Sequence, residues 1–185
     1  KGGHAAMPQT FINPLQIAAQ ILVELENFCK KNASENLPSV LTFGRIIGEG
    51  QTNIVPQQVE LSGTLRTFDE QWRSQAKTKI EQICAEIASQ RGGKAILTIK
   101  NGYPVLYNNP ELVAYCKDLI KVFWGENAVV DLNYRTTADD FAYYSHLMPA
   151  IFFRLGTGSE NINRTLHTST FDVEEKILAI APAPW

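Results

Sequence analysis

The stretch VELSGTLRTF, residues 59–68, alternates in character: Val59, Leu61 and Leu65 fall on one side, Glu60, Ser62, Thr64 and Arg66 on the other. A period of two marks a strand with one face buried and one open. Upstream, SVLTFGRIIG (39–48) reads as a second strand. The loop between them, EGQTNIVPQQ (49–58), is longer and more polar than a tight hairpin needs, and such loops tend to carry function. A helix flanks each side of this pair. Before it, NPLQIAAQILVELENFCKK (13–31) sets Asn13 as N-cap and Pro14 at the first helical position, with Leu15, Ala18, Leu22, Leu25 and Cys29 in one stripe. After it, a helix runs from about Asp69 to Gln90, carrying Trp72, Ala76, Ile80, Ile83 and Ile87, and Gly92-Gly93 stops it. KAILTIK (94–100) then alternates as a short strand. With a strand at the opening residues the order is β-α-β-β-α-β, the split pattern of ferredoxin-like folds. That architecture hosts many activities and by itself decides none.

GYPVLYNNP (102–110) is dense in turn formers and reads as a boundary. Beyond it come a helix capped by Asn109 and Pro110 that ends at Gly125, a strand at AVVDL (128–132), a short helix after TTADD, a strand at PAIFFRL (149–155) and a last helix from about Asp172. The fold class is α/β in the broad sense, with domains at 1–102 and 103–185. Two strands make a poor sheet alone, so the second block is expected to have partner strands elsewhere.

The chain has 185 residues, 44% of them apolar, and a net charge of −2 from 17 basic and 19 acidic side chains. That balance offers no electrostatic footprint for nucleic acid or an anionic membrane, and favours a small-molecule partner. No apolar run reaches the eighteen or so residues of a membrane span, and the opening residues do not resemble a signal peptide. The first residue is Lys1, which points to an excerpt of a longer chain. Cys29, Cys84 and Cys116 are odd in number, widely spaced and without a C-x-x-C pair, so they read as core thiols of a cytoplasmic, reducing compartment.

Three histidines are available for chemistry. His146 sits among aromatic residues at a helix end, where a structural role is the simpler reading, and His167 follows the polar loop GTGSENIN. His4 lies in KGGHAAMP between small residues. No two histidines have ligand spacing, so the chain builds no closed metal site by itself. Asp139-Asp140 could offer carboxylate ligands, but a helix start explains the pair as well. Arg66 and the Asn53 loop together suit recognition of a carboxylate, against the commoner outcome of a solvated arginine.

Six fragments in order, GGHAAMP, INPLQIAAQI, TNIVPQ, GTLRTF, TTADDFAYY with PAIFFRLGTG, and LHTSTFD, resemble the aminoacylase and carboxypeptidase family of two-metal hydrolases. The likeness is to the amidohydrolase branch that includes hippurate and indole-acetyl-amino-acid hydrolases, and it covers nearly the whole chain. It implies a ferredoxin-like lid and dimerisation domain over residues 1–102, inserted into a zinc-dependent catalytic domain whose C-terminal part is 103–185. By position, His167 matches a metal ligand, and His4 matches the catalytic lid histidine that reaches the partner subunit's site. Asn53 and Arg66, with backbone amides near Gly156, match groups that hold the substrate's carboxylate. The implied cofactors are two divalent ions, zinc foremost, with Mn, Co or Ni as alternatives. The implied reaction is amide hydrolysis of N-acyl amino acids or short peptides by a homodimer, with the fragment alone inactive. The family's Glu-Asp-Phe is Asp139-Asp140-Phe141 here, and the ending ILAIAPAPW departs from its usual final helix. The competing reading is a non-catalytic ferredoxin-like dimerisation or small-molecule-binding module.

Overall fold

The computed structural model describes residues 2–32, 38–157 and 168–180. It divides into two compact units, residues 1–105 with 135–138, and residues 106–134 with 139–185.

In the first unit β2 (Val40–Ile47) and β4 (Glu60–Arg66) form an antiparallel ladder with Leu41 opposite Leu65 and Thr42 opposite Thr64. The alternation read in residues 59–68 is realised. Leu41, Phe43, Leu61 and Leu65 pack inward, while Glu60, Ser62, Thr64 and Arg66 are exposed. A bulge falls where Phe43 pairs with Gly63 and Arg45 with Ser62, leaving Gly44 as the extra residue. The Arg45 guanidinium crosses to the Glu60 carboxylate on the open face.

Two helices close the inner face: α1 (Pro14–Asn32) and α2 (Glu70–Gln90). The α1 start follows the expected cap, and Asp69, read as the start of α2, caps it. Leu15 N–H donates to Asn13 Oδ1 at 3.0 Å and Trp72 N–H to Asp69 Oδ1 at 2.9 Å. Gly92, at φ +70°, ends α2, and the N–H groups of Gly92 and Gly93 return to the carbonyls of Ser89 and Ala88. The core joins Ile17, Ile21 and Leu25 of α1 to Ile80, Cys84, Ile87 and Ala88 of α2. Phe28 stacks on Trp72 with ring centroids 6.3 Å apart. Of the stripe read from the sequence, Ala18, Leu25 and Cys29 are buried, with Ile17 and Ile21 beside them, whereas Leu15 is 39% exposed. Leu15 leans over the backbone of Gly48, where an added Cβ would come within 2.6 Å of its Cδ2.

The opening strand, β1 (Gly3–His4), pairs antiparallel with β3 (Ile54–Val55), inside the segment read as loop. Among the described residues this two-stranded ladder is separate from β2–β4. Residues 94–100, expected as a strand, belong to no ladder among the described residues, and Ile96 is 84% exposed. A strand exists only through a neighbour that takes up its backbone groups. The opening strand, the expected neighbour in the split pattern, is bonded to β3 instead.

The second unit holds α3 (Pro110–Trp124), α4 (Ala142–Leu147) and α5 (Ile177–Ile180). Asn109 caps α3, its Oδ1 accepting from Leu112 N–H at 2.9 Å, and Gly125 ends it at φ +90°. The strands expected at 128–132 and 149–155 form no ladder among the described residues. In the second segment the backbone is satisfied otherwise. The Asn108 amide accepts from Phe152 N–H at 2.7 Å and donates to Phe152 C=O at 3.0 Å, as a strand partner would. Asn109 N–H donates to Ala150 C=O at 2.9 Å. The last helix is shorter than expected, starting at Ile177 rather than near Asp172.

Candidate functional site

His4 and Asn53 come together on the β1–β3 ladder. His4 lies opposite Ile54, and Ala5 N–H donates to the carbonyl of Asn53 at 2.9 Å. Asn53 occupies a tight turn closed by Gln51 N–H to Ile54 C=O at 2.9 Å and Ile54 N–H to Gln51 C=O at 3.0 Å. Both side chains are exposed. The glycines before His4 permit this approach. A Cβ on Gly2 would lie 2.3 Å from the Val55 carbonyl oxygen, and one on Gly3 would lie 2.9 Å from Phe11 Cδ1.

The imidazole of His4 is held by its own turn. Met7 N–H donates to His4 C=O at 2.9 Å and Ala6 N–H donates to His4 Nδ1 at 3.2 Å. Nε2 has no partner among the described residues. The site can therefore present an imidazole nitrogen and a carboxamide from one short edge.

Arg66 is elsewhere. It pairs with Val40 at one end of the β2–β4 ladder, whereas Ile47 and Glu60 form the end from which the Asn53 loop departs. The six steps from Glu60 to Arg66 span about 20 Å of strand. Gly156 is exposed in the second unit, with nothing within 4 Å of an added Cβ. His167 lies outside the described residues.

Among the described residues no group of three or more His, Cys, Asp or Glu side chains could hold a metal ion. The described residues do not fit a metal centre by themselves. Asp139 is used locally: its Oδ1 accepts from Phe141 N–H at 2.9 Å, which supports the helix-start reading. His146 borders a surface hollow of about 250 Å³ lined also by Tyr107, Asn109, Ser145 and Met148. The three cysteines are buried and unpaired. Burial pushes the Cys84 thiol up from its usual value, and it does the same to Cys29 against a partly offsetting hydrogen bond with the Leu41 backbone. Among the described residues no helix is long and apolar enough to cross a membrane.

Residues 1–92 match the peptidase dimerisation domain family. Over 95% of its length the chain is 30% identical to an uncharacterized hydrolase of Sinorhizobium fredii, covering 44% of that protein. The N-acetyl-L-cysteine deacetylase of Bacillus subtilis is also 30% identical over 95% of the chain, which covers 41% of it. The chain thus spans less than half the length of these curated relatives. A structure from methicillin-resistant Staphylococcus aureus, described as an aminohydrolase, superposes with TM-score 0.84 at 26% identity, over 98% of this chain and 47% of its own. A Bacillus subtilis protein titled a dinuclear metal binding peptidase superposes with TM-score 0.74 at 24% identity, over 92% of this chain and 43% of its own. Residues 1–92 of the chain belong to the M20 peptidase dimerisation domain family, and over 95% of its length the chain is similar to proteins named as a hydrolase and a deacetylase.

Proposed function

We propose that the chain is part of a metal-dependent hydrolase that cleaves the amide bond of N-acyl amino acids or short peptides. In this reading residues 1–102 are the lid and homodimerisation domain, and residues 103–185 are the C-terminal portion of the catalytic domain. The observation that carries it is the backbone pairing that joins the His4 strand to the Asn53 turn, with both side chains exposed.

His4 donates from Nε2 to the oxygen that gains charge as the amide carbon becomes tetrahedral. A donor so placed is worth about 3 kcal/mol of transition-state stabilisation in a closed, preorganised site. The Asn53 carboxamide and the Arg66 guanidinium orient the substrate's carboxylate, with Arg66 offering a bidentate fork. The Gly156 backbone assists from the second unit. The two ions of the whole protein, zinc foremost with Mn, Co or Ni as alternatives, supply Lewis acidity when bound, and His167 is the ligand this chain contributes. Three unpaired thiols suit a cytoplasmic setting.

In the full-length enzyme, His4→Ala should lower kcat roughly 10²–10³-fold with metal content unchanged. His167→Ala should lower metal content and activity together. Mixing the two variants restores activity if His4 serves the partner's site, and unaltered turnover in His4→Ala would refute the donor role. The alternative, a non-catalytic dimerisation module, requires a full-length protein that dimerises but hydrolyses no N-acyl amino acid.

A further inference from the structure

We infer that the backbone N–H of Ala6 is a positioning group for His4, fixing the neutral imidazole as the tautomer that carries its proton on Nε2. This rests on the reading that His4 donates to the substrate. The bond from Ala6 N–H to Nδ1, 3.2 Å, makes Nδ1 an acceptor. An imidazole nitrogen that accepts has no proton, so in the neutral ring the proton lies on the other nitrogen.

The backbone around that bond is tied on both sides. Ala5 N–H is committed to the Asn53 carbonyl and Met7 N–H to the His4 carbonyl, each at 2.9 Å. Thr10 N–H and Thr10 Oγ1–H both reach back to the Met7 carbonyl, at 3.0 and 2.8 Å. The Ala6 amide therefore sits between two fixed neighbours, and its hydrogen-bond partner is the ring. The consequence is chemical. With Nδ1 engaged and Nε2 protonated, neutral His4 can donate but has no free lone pair with which to act as general base or metal ligand. His4 is thereby separated in role from a ligand histidine, which needs an unprotonated ring nitrogen.

The test is a long-range proton–nitrogen correlation spectrum of the ¹⁵N-histidine-labelled 185-residue chain at a pH where the ring is neutral, with His4→Gln to assign the signal. Nδ1 is expected in the pyridine-type range and Nε2 in the pyrrole-type range. The reverse pattern overturns the inference whatever the enzyme does. Ala6→Pro removes the N–H and should move both nitrogens toward tautomer-averaged values, while Ala6→Gly, which keeps it, should not. A fixed tautomer that survives in folded Ala6→Pro also overturns the inference. In the full-length enzyme Ala6→Pro should lower kcat by about tenfold or more, with Ala6→Gly close to wild type. If the Nε2–H tautomer is found but His4→Ala turns over normally, the proposed donor role fails and the positioning inference stands.

Discussion

Replacing Gly2 by alanine tests whether the β1–β3 ladder positions His4. The added Cβ would lie 2.3 Å from the Val55 carbonyl oxygen and 2.7 Å from Pro56 C and O. All three atoms are backbone, so no side-chain rotation relieves the overlap, and Gly2 or its strand has to move. Overpacking of this kind costs typically 1–3 kcal/mol or more. The ladder that resists consists of the Gly3–Val55 and His4–Ile54 pairs, supported by the Ala5 N–H bond to Asn53. At about 1 kcal/mol net per hydrogen bond, so short a ladder offers only a comparable resistance. The core of α1, α2, β2 and β4 contains no residue of β1, so global stability should change little. The cheaper response is for β1 to leave β3, carrying His4 away from Asn53. In the full-length enzyme kcat should then fall roughly 10²-fold, as for loss of a transition-state donor, with metal content unchanged. Hydrogen exchange at the Ala5 amide should accelerate together with the loss. Gly102→Ala, where an added Cβ meets nothing within 4 Å, is the control and should be silent. Wild-type turnover in Gly2→Ala with a protected Ala5 amide would refute the reasoning.

Three further outcomes follow from the same geometry. Leu25, 3% exposed in the core of the first unit, should cost about 2–5 kcal/mol when cut to alanine, read as a lower urea midpoint at unchanged slope. Burial raises the Cys84 thiol above its ordinary 9.0, so the folded state holds the proton to higher pH than the unfolded one does. Stability from this source is intact below pH 9.0 and falls as pH rises beyond it, by at most about 1.4 kcal/mol per pH unit, and Cys84→Ala should flatten that slope. In the full-length enzyme Arg66→Ala should raise KM for carboxylate-bearing substrates by about 10–100-fold, the worth of a charged hydrogen bond, and should spare substrates whose carboxylate is amidated.

Local signals were legible in the sequence and non-local ones were not. Asn13 and Asn109 cap their helices as read, and Asp69, read as the start of α2, caps it, because a cap reaches only two or three residues along its own chain. The open and closed faces of β4 were equally plain, since period two needs no knowledge of the partner. The β1–β3 ladder was hidden: two residues at the start pair with two residues some fifty positions later, inside a segment whose turn formers dominate its composition. Residues 94–100 and 149–155 show the converse, strand-like in pattern yet without a ladder among the described residues, because pairing belongs to the neighbour as much as to the segment. Asn108 looked like a turn former, and nothing in its surroundings announces an amide that substitutes for a strand. For His4 the sequence supplied the residue and its small neighbours. Which nitrogen is engaged depends on a turn geometry that KGGHAAMP alone does not encode.

The positions of Arg66 and His4 bear on how many sites one lid serves. The resemblance grouped Asn53 and Arg66 as clamps on one carboxylate, and their spacing of thirteen residues is compatible with neighbouring strands or with distant ends. Arg66 ends β4 opposite Val40, while the chain that leads to Asn53 leaves β2 at Ile47, opposite Glu60. About 20 Å of strand separates Glu60 from Arg66. His4, by contrast, pairs with Ile54, next to Asn53, whose carbonyl accepts from Ala5 N–H. In a homodimer, the alternative to a shared carboxylate clamp is that Arg66 serves one catalytic centre while His4 and Asn53 serve the other. The mixing experiment then acquires a second arm: Arg66→Ala combined with His4→Ala should leave each mixed dimer with one intact site and one doubly deficient site if the two groups act on different centres, and with two singly deficient sites if they act on the same one.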